Sequence, residues 1–430
     1  YMNTLPKAVD AMHVKLENIL DLVETKSGKH IILNFSGGAD FAVNYYHDNS
    51  IRKQLFSQMG LSLDKYELVM NKEETESIRS EFSNMGVGHF MIKQVDLAIK
   101  NKVTGDQTKT VKVSLMMKKN EAQYVTVDPD NFEHGFDTAV YNEALEKSLF
   151  SEGNIARLAE FFKKGERGEN VTVGYIGGSI TAGASALPGR SWAEVTQRWI
   201  EKHVDANAKY VNAGIGGTSS ALGNFRLEKH IFDEDCDLVF VEFAVNDNQL
   251  WDFHQQTFEA LIRRLLSHED APAVVVVLSV CESTTDDQFA PMEAVCNYYD
   301  LPIVDVRRAV HYLLDNTEMT YYDYAPDTIH PYSFGHQIMG SMVINLLSTV
   351  KDKAATAKDD DLEIICPSGE FFYGDKYYDV EIIEGADLPY KTSGWTPADD
   401  VSDFGYTKCI SSTSSANILE FEFNGKGLII

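Results

Sequence analysis

The strongest constraint on the fold is a regular alternation of short apolar runs and helix-like segments between residues 170 and 350. The apolar runs are rich in Val, Ile, Leu and Phe and have the length of strands: 171–177, 209–215, 237–245, 273–280 and 301–306. Segments with helical spacing lie between these runs and after the last one. Nearly continuous apolar runs are typical of strands that are buried on both faces. Because strands that alternate with helices form parallel sheets, the sequence predicts an α/β fold with a five-stranded parallel sheet in three layers.

This pattern defines the middle of three predicted regions, residues 151–352. The N-terminal region, residues 1–150, is predicted to be α+β or β-rich. It has helical spacing at 5–24 and strand-like runs that include a hairpin turn at Thr104-Gly105-Asp106.

The C-terminal region follows a polar stretch at 353–365 that is predicted to be a linker. Residues 360–430 contain short, aromatic-rich, β-like runs at 370–383 and 418–430, which predict a β-sandwich-like accessory domain. The sequence stops inside the last run, so we expect the natural protein to continue.

The composition argues against several classes of function. The formal net charge of −27 would repel a nucleic acid partner, and no apolar run reaches the length of about 18 residues that a membrane span needs. The five cysteines are scattered without a C-x-x-C pair, which argues against a zinc site. A disulfide between Cys366 and Cys409 stays open. No G-x-G-x-x-G follows the first strand and no P-loop is present, which argues against a nucleotide-binding domain. We expect no cofactor and no metal.

The compartment depends on how the natural chain begins. If Met2 is the native start, the protein is expected in the cytoplasm, and if a leader has been removed, it is expected to be secreted. The oligomeric state does not follow from the sequence.

Reactive side chains follow the predicted strands at their carboxyl ends, where ligands bind in parallel α/β sheets. Ser179 follows the first strand after two glycines, Gly217 follows the second, and Asn246 follows the third. After the fifth strand and a helix come Asp327 and, three residues later, His330. The sequence therefore predicts that these five residues meet at one edge of the sheet.

This set is what acyl transfer requires. Serine is a weak nucleophile that needs an adjacent base, and His330 can take the Ser179 proton while Asp327 orients the imidazole. The oxyanion of a tetrahedral intermediate needs hydrogen-bond donors. The backbone amides of Ser179 and Gly217 and the side chain of Asn246 are predicted to supply them.

The same blocks resemble the SGNH (GDSL-like) hydrolase family over residues of about 175–340. The resemblance implies a flavodoxin-like α/β/α sandwich. It places the signature residues of the family at Ser179, Gly217, Asn246 and His330, and the family's aspartate at Asp327.

One departure from the family pattern is visible beside the serine. Many members have Gly-Asp-Ser-Leu, whereas this chain has Gly178 before Ser179 and Ile180 after it. The departure concerns the local geometry more than the identity of the nucleophile.

The resemblance implies an ester or acetyl-ester substrate. The loops expected around Ser179 are rich in polar and small residues, with Trp192 and Trp251 expected to bind the substrate. Polar groups with aromatic platforms suit a sugar, because its hydroxyls need partners when water leaves. The tail also resembles the β domains of carbohydrate esterases in this family. The sequence therefore predicts a serine esterase for short acyl groups that removes acetyl from a carbohydrate. A lipid acylhydrolase or thioesterase of the same fold, or an inactive carbohydrate-binding module, stays open.

Four other polar residues have ordinary structural interpretations. Ser36 follows a similar strand but has no partner blocks, and it is predicted to be a turn residue. Asp247 is predicted to hold the Asn246 loop, and His336 is predicted to be structural. His254 fits either the mouth of the site or an ordinary loop.

Overall fold

The computed structural model describes the chain most completely between residues 128 and 398. The described residues are 12–15, 23–25, 28–37, 62, 65–70, 77, 90–101, 103–118, 128–132, 134–247, 251–282, 286–317, 319, 321–325, 329–358, 362–383, 387, 390–398 and 409–422.

Six strands in the N-terminal region form one sheet in the order β1-β3-β6-β5-β4, with β2 also paired to β3. They are β1 Met12–Lys15, β2 Val23–Thr25, β3 Gly28–Gly37, β4 Tyr66–Met70, β5 Phe90–Asn101 and β6 Gln107–Lys118. β5 and β6 form the predicted antiparallel hairpin, and Gly105 adopts a positive φ of 72° in its turn. The helix expected over 5–24 is wrong, because β1 and β2 lie there and both pair with β3. Ser36 lies within β3 and not in a turn.

The central sheet has the strand order β7-β12-β11-β10-β8-β9. Its strands are β7 Leu149–Ser151, β8 Thr172–Gly177, β9 Lys209–Gly214, β10 Leu238–Glu242, β11 Ala273–Leu278 and β12 Ile303–Asp305. β8 to β12 are parallel, and β7 is an antiparallel edge strand that the sequence prediction did not include. The mostly parallel α/β sheet flanked by helices is confirmed.

Helices cover both faces of this sheet. They are α1 Thr138–Ser148, α2 Ala156–Glu166, α3 Trp192–His203, α4 Ser220–Phe225, α5 Leu227–His230, α6 Trp251–Ser267, α7 Asp286–Tyr298, α8 Val306–Asn316, α9 Tyr321–Tyr324 and α10 Ser333–Ala354. The core on one face joins residues of α1, α2, α3, α8 and α10, and the core on the other joins residues of α5, α6 and α7. Successive strand residues alternate between the two cores, as Leu238 and Phe240 do against Val239 and Val241. Among the described residues, no helix has both the length and the apolar character of a membrane span.

The topology places one crevice at the carboxyl ends of β8 and β10. The chain runs from β8 outward to β9 and then returns across β8 to form β10 on its other side. In doubly wound sheets, the connections after two such strands diverge to opposite faces and leave a ligand-binding crevice between them. Ser179 follows β8 and Asn246 follows β10, so both lie at this switch point.

The packed α/β unit begins before the predicted boundary at residue 151. Tyr141 and Ala144 of α1 are buried in its core, and the hydroxyl of Tyr141 hydrogen-bonds that of Ser341 on α10. A cut at 150 would therefore remove helix α1 from the unit and divide the edge strand β7.

The segment 362–383 is a strap without helix or strand, so the β-like run expected at 370–383 is wrong. Its course is fixed by two side chains of α6. The fully buried Glu259 accepts hydrogen bonds from the amides of Phe372 and Tyr373 at 2.5 and 2.6 Å. Arg263 donates to the carbonyl of Gly369 at 2.6 Å. The strap therefore belongs to the α/β unit.

The rest of the described tail forms two small antiparallel sheets. β13 Tyr390–Ser393 pairs with β16 Ile418–Phe421, and β14 Thr396–Ala398 pairs with β15 Cys409–Ser411. The β-sandwich stays a prediction. Cys366 is an exposed free thiol, so the disulfide with Cys409 is not formed.

Candidate active site

Ser179 lies in a tight turn directly after β8. The amide of Ala182 donates to the carbonyl of Gly178, and the amide of Ala184 donates to that of Ser179, so the turn is closed by its own backbone. Ser179 is half-buried, and its Oγ lies 2.7 Å from Nε2 of His330. This is the hydrogen-bond distance that a nucleophile and its base require.

His330 reaches Ser179 from the segment between α9 and α10. The amide of Tyr332 donates to the carbonyl of Tyr324, which fixes the chain just after the histidine. Asp327 lies outside the described residues, so its predicted role as the orienting carboxylate stays a prediction.

Gly217 and its neighbour Gly216 form a loop beside Ser179. A Cβ atom at Gly216 would lie 3.8 Å from Cβ of Ser179. Gly217 has a positive φ of 72°, a conformation that favours glycine, and no atom lies within 4 Å of the position of its missing Cβ. Within the part of the chain that the structure describes, neither the amide of Gly217 nor that of Ser179 donates a hydrogen bond. Both donors are available to a substrate.

Asn246 lies directly against the nucleophile turn. A Cβ atom at Gly178 would lie only 2.2 Å from Oδ1 of Asn246. The Asn246 side chain therefore occupies the space that a side chain at residue 178 would need. This contact gives a physical reason for glycine at residue 178.

We expect Gly178→Ala to lower kcat by about 100-fold or more, because the new methyl group must displace Asn246 from its place beside Ser179. The overall fold should persist, since the change is a single methyl group at a turn. Steady-state kinetics and thermal unfolding of the variant test this. An unchanged kcat would show that Asn246 does not act where the structure places it.

His336 joins the Ser179 turn to the start of α3. It is fully buried on α10, its Nδ1 accepts from the amide of Trp192 at 3.2 Å, and its Nε2 donates to the carbonyl of Ala184 at 3.1 Å. Burial lowers the pKa of His336 to about 4. A neutral imidazole with both nitrogens used is a structural group, as the sequence interpretation of His336 expected.

We expect acidification to remove the stability that His336 contributes. Histidine in an unfolded chain binds a proton near pH 6.5, whereas folded His336 does so only near its lowered pKa of about 4. Its contribution is therefore complete above pH ~6.5 and lost as the pH falls towards 4, by about 3 kcal/mol in total. Urea unfolding at pH 7 and pH 4.5 should show a larger loss for the wild type than for His336→Gln. Equal losses would contradict this.

Trp192 does not lie where the sequence analysis expected. Its side chain is completely buried at the start of α3 and packs edge-on against Tyr175 and Phe240 in the core. The prediction that it binds substrate is wrong. Trp251 begins α6, and its contact with substrate stays a prediction.

Two further candidates have clear positions. Asp247 is buried and accepts the amide of Ser220 at 2.8 Å, so it holds the Asn246 loop to α4 as expected. His254 is buried, with Nδ1 3.0 Å from the carbonyl of Asp247, and serves the same loop.

Arg226 holds two strand ends of the site together, and the sequence analysis did not predict this. It is fully buried and donates to the carbonyls of Ala213 at 2.5 Å and Gly177 at 3.1 Å. It thereby joins the ends of β9 and β8, which carry Gly217 and Ser179. The available signal was an arginine inside the helical segment that follows the Gly217 loop.

Part of the chain matches a known protein family. Residues 175–338 match the model of the GDSL-like Lipase/Acylhydrolase family. No curated protein matches the chain.

Solved structures with a related fold include esterases. A two-domain esterase (CEX) active on acetylated mannans has 23% sequence identity and a TM-score of 0.57, and the alignment covers 63% of this chain and 72% of that one. Axe2, an acetylxylan esterase from Geobacillus stearothermophilus, has 17% identity and a TM-score of 0.36, with 41% of this chain and 94% of that chain covered. At this level of identity, the first similarity supports the fold.

The family match begins within β8 and includes the Ser179 turn, the Gly217 and Asn246 loops, and the His330 segment. The described candidate site residues Ser179, Gly217, Asn246 and His330 lie inside it. The chain thus carries, over residues 175–338, a domain of the GDSL-like (SGNH) hydrolase family, a family of carboxylic ester hydrolases.

Proposed function

We propose that this chain is a serine esterase that removes acetyl groups from a carbohydrate through an acyl-enzyme. The observation that carries the proposal is the 2.7 Å contact between Ser179 Oγ and His330 Nε2, beside the Gly217 amide and the Asn246 side chain. A nucleophile, a base and oxyanion donors meet at one edge of the sheet.

In the first half of the proposed reaction, His330 Nε2 takes the proton of Ser179 as Oγ attacks the acetyl carbonyl. The carbonyl oxygen becomes an oxyanion that accepts hydrogen bonds from the amides of Ser179 and Gly217 and from Asn246. The carbon–oxygen bond to the sugar then breaks. The leaving oxygen takes the proton from His330, and the acetyl group stays on Ser179.

The second half returns the enzyme to its starting state. Water gives a proton to His330 and attacks the acetyl-Ser179 carbonyl, and the same donors hold the oxyanion. The bond to Ser179 breaks, Oγ takes the proton back from His330, and acetate leaves. Asp327 is proposed to orient His330 in both halves.

The carbohydrate part of the proposal is supported by the surroundings of Ser179. The loops at 183–191 and 216–220 consist mostly of small and polar residues. Such loops offer partners for sugar hydroxyls and little apolar surface for a long acyl chain. The two-domain structural neighbour is an esterase active on acetylated mannans, which agrees with this substrate class.

We expect an acetyl ester to be hydrolysed at least about 10-fold faster, by kcat/KM, than the octanoyl ester of the same alcohol, because the loops offer an octanoyl chain little apolar surface. The measurement is kcat/KM for a panel of esters that also includes acetylated manno- and xylo-oligosaccharides, with Ser179→Ala as the blank. Preference for acyl chains of about eight carbons would favour the lipid acylhydrolase or thioesterase alternative. Turnover of none of the esters would favour an inactive binding module.

The same panel, applied to a shortened chain, tests whether the tail holds carbohydrate. The cut must keep the strap at 362–383, because the buried Glu259 and Arg263 form hydrogen bonds with its backbone. Removing residues 384–430 should raise KM for acetylated oligosaccharides and spare a small acetyl ester. Equal effects on both substrates would contradict a carbohydrate-binding tail.

A further inference from the structure

Two carboxyl groups lie buried beneath the proposed site, and the acyl-transfer steps above use neither. Glu242 is the last residue of β10 and is fully buried, and Asp247 is 4% exposed. Within the described residues, no lysine or arginine forms an ion pair with either one. Burial of a carboxyl group without a cation is costly, so hydrogen bonds must offset that cost for both groups.

Glu242 holds the nucleophile turn from both sides of Ser179. Its Oε2 accepts the hydroxyl of Thr181 at 2.8 Å, and its backbone carbonyl accepts the amide of Gly178 at 3.3 Å. Its Oε1 accepts the hydroxyl of Ser279, which follows β11. Glu242 thus fixes the turn that carries Ser179 to the ends of two neighbouring strands.

Asp247 does the same for the oxyanion side. Its Oδ1 accepts the amide of Ser220, three residues after Gly217, at 2.8 Å. Its own amide donates to the carbonyl of Phe243, and Asn246 is its immediate neighbour. The loop that carries the Gly217 amide and the loop that carries the Asn246 side chain are therefore joined through this one carboxyl group.

The protonation of both groups fits this role. Burial raises the pKa of Glu242 to about 7 and that of Asp247 to about 7. A buried carboxyl that is neutral for part of the time keeps its hydrogen bonds without a permanent full charge beneath a developing oxyanion.

We propose that Glu242 and Asp247 are positioning residues of the esterase reaction, Glu242 for the Ser179 turn and Asp247 for the oxyanion donors. This inference rests on the proposed function, in that it takes Ser179 as the nucleophile. Neither carboxyl touches the substrate. Each acts by holding reactive groups in register, where a displacement of about 1 Å costs on the order of 100-fold in rate.

The test is the rate at which a small fluorophosphonate labels Ser179. The adduct needs both the nucleophile and the oxyanion donors, and the probe contains no sugar. Labelling of the wild type at Ser179, and its absence in Ser179→Ala, checks the nucleophile first. A failure of this check would count against the proposed function, whereas the ratios between the variants below report on the positioning residues alone.

Four variants separate positioning from folding. Thr181→Val keeps the side-chain volume but removes the hydroxyl that Glu242 holds, and Asp247→Ala removes the acceptor of the Ser220 amide. The conservative Glu242→Gln and Asp247→Asn each keep an acceptor oxygen. The matched control is Glu259→Ala, because Glu259 is equally buried and accepts backbone amides, but of the strap and not of the site.

We expect Thr181→Val and Asp247→Ala to label about 10- to 100-fold more slowly than the wild type, while Glu242→Gln and Asp247→Asn stay within about threefold. Glu259→Ala should melt at a lower temperature and label at close to the wild-type rate. Thr181→Val adds no volume to the core, so a usable variant remains even where Asp247→Ala is poorly folded. The proposal is overturned if Thr181→Val and Asp247→Ala label within about threefold of the wild type, or if Glu259→Ala is slowed as much as they are.

Discussion

Replacing Ser179 with alanine is expected to lower kcat for an acetyl ester by about 10⁴-fold or more, with little change in stability. Ser179 Oγ is the atom that we propose attacks the carbonyl, and it lies 2.7 Å from Nε2 of His330. Alanine removes the nucleophile but leaves the half-buried turn and its backbone hydrogen bonds in place. The residual rate should be that of water attack assisted by the oxyanion donors.

Steady-state kinetics with an acetyl ester, together with thermal unfolding, check this expectation. Ser333→Ala is a useful control, since Ser333 donates no proton to the proposed reaction and its Oγ accepts the amide of Leu187. A Ser179→Ala variant that keeps about a tenth or more of the wild-type kcat would rule out Ser179 as the nucleophile.

Replacing His330 with alanine should lower kcat by a similar factor of about 10⁴, because Ser179 then has no adjacent base to take its proton as Oγ attacks. The loss should not add to that of Ser179→Ala in the double variant, since the two groups act as one unit. Measurement of kcat for both single variants and the double variant tests this. Additive losses would show that His330 acts independently of Ser179.

Asp327→Asn is expected to lower kcat less than His330→Ala does. An orienting carboxylate holds the imidazole and stabilises its charged form, but it does not take the serine proton itself. Full kcat in both Asp327→Asn and His330→Ala would overturn the proposed base.

Ser179, Gly217 and Asn246 were predictable because each closely follows an apolar run, and His330 follows the last such run after a predicted helix. Near-continuous apolar segments mark buried parallel strands, and parallel strands bring their carboxyl ends to one edge. The sequence could therefore predict that Ser179, Gly217, Asn246 and His330 meet. It could not predict the packing of Asn246 against Gly178, which depends on how two loops close in space.

The sequence around Trp192 contained a pattern that indicates a buried side chain. Trp192, Val195 and Trp199 are spaced as one face of a helix, and all three are buried in the same core. The aromatic residue near the serine was interpreted as substrate surface, although its spacing indicated an inward face of α3.

The other errors arise from long-range pairing. The stretch at 5–24 has helical spacing, but β1 and β2 pair with β3, and tertiary pairing overrides local propensity. The strap resembled a strand because of its aromatic residues. The backbone amides of Phe372 and Tyr373 instead donate to Glu259, more than 100 residues earlier in the chain. Glu242 was missed for the same reason, because its partners lie on two segments about 100 residues apart, the turn at 178–181 and Ser279.

The central claim is that Ser179 is a nucleophile activated by His330. The most direct measurement is peptide mapping by mass spectrometry after reaction with a fluorophosphonate. We expect one modified peptide, which carries the label on Ser179, and little or no modification in His330→Ala over the same time. Label on another serine such as Ser36, or equal labelling of Ser179 with and without His330, would contradict it.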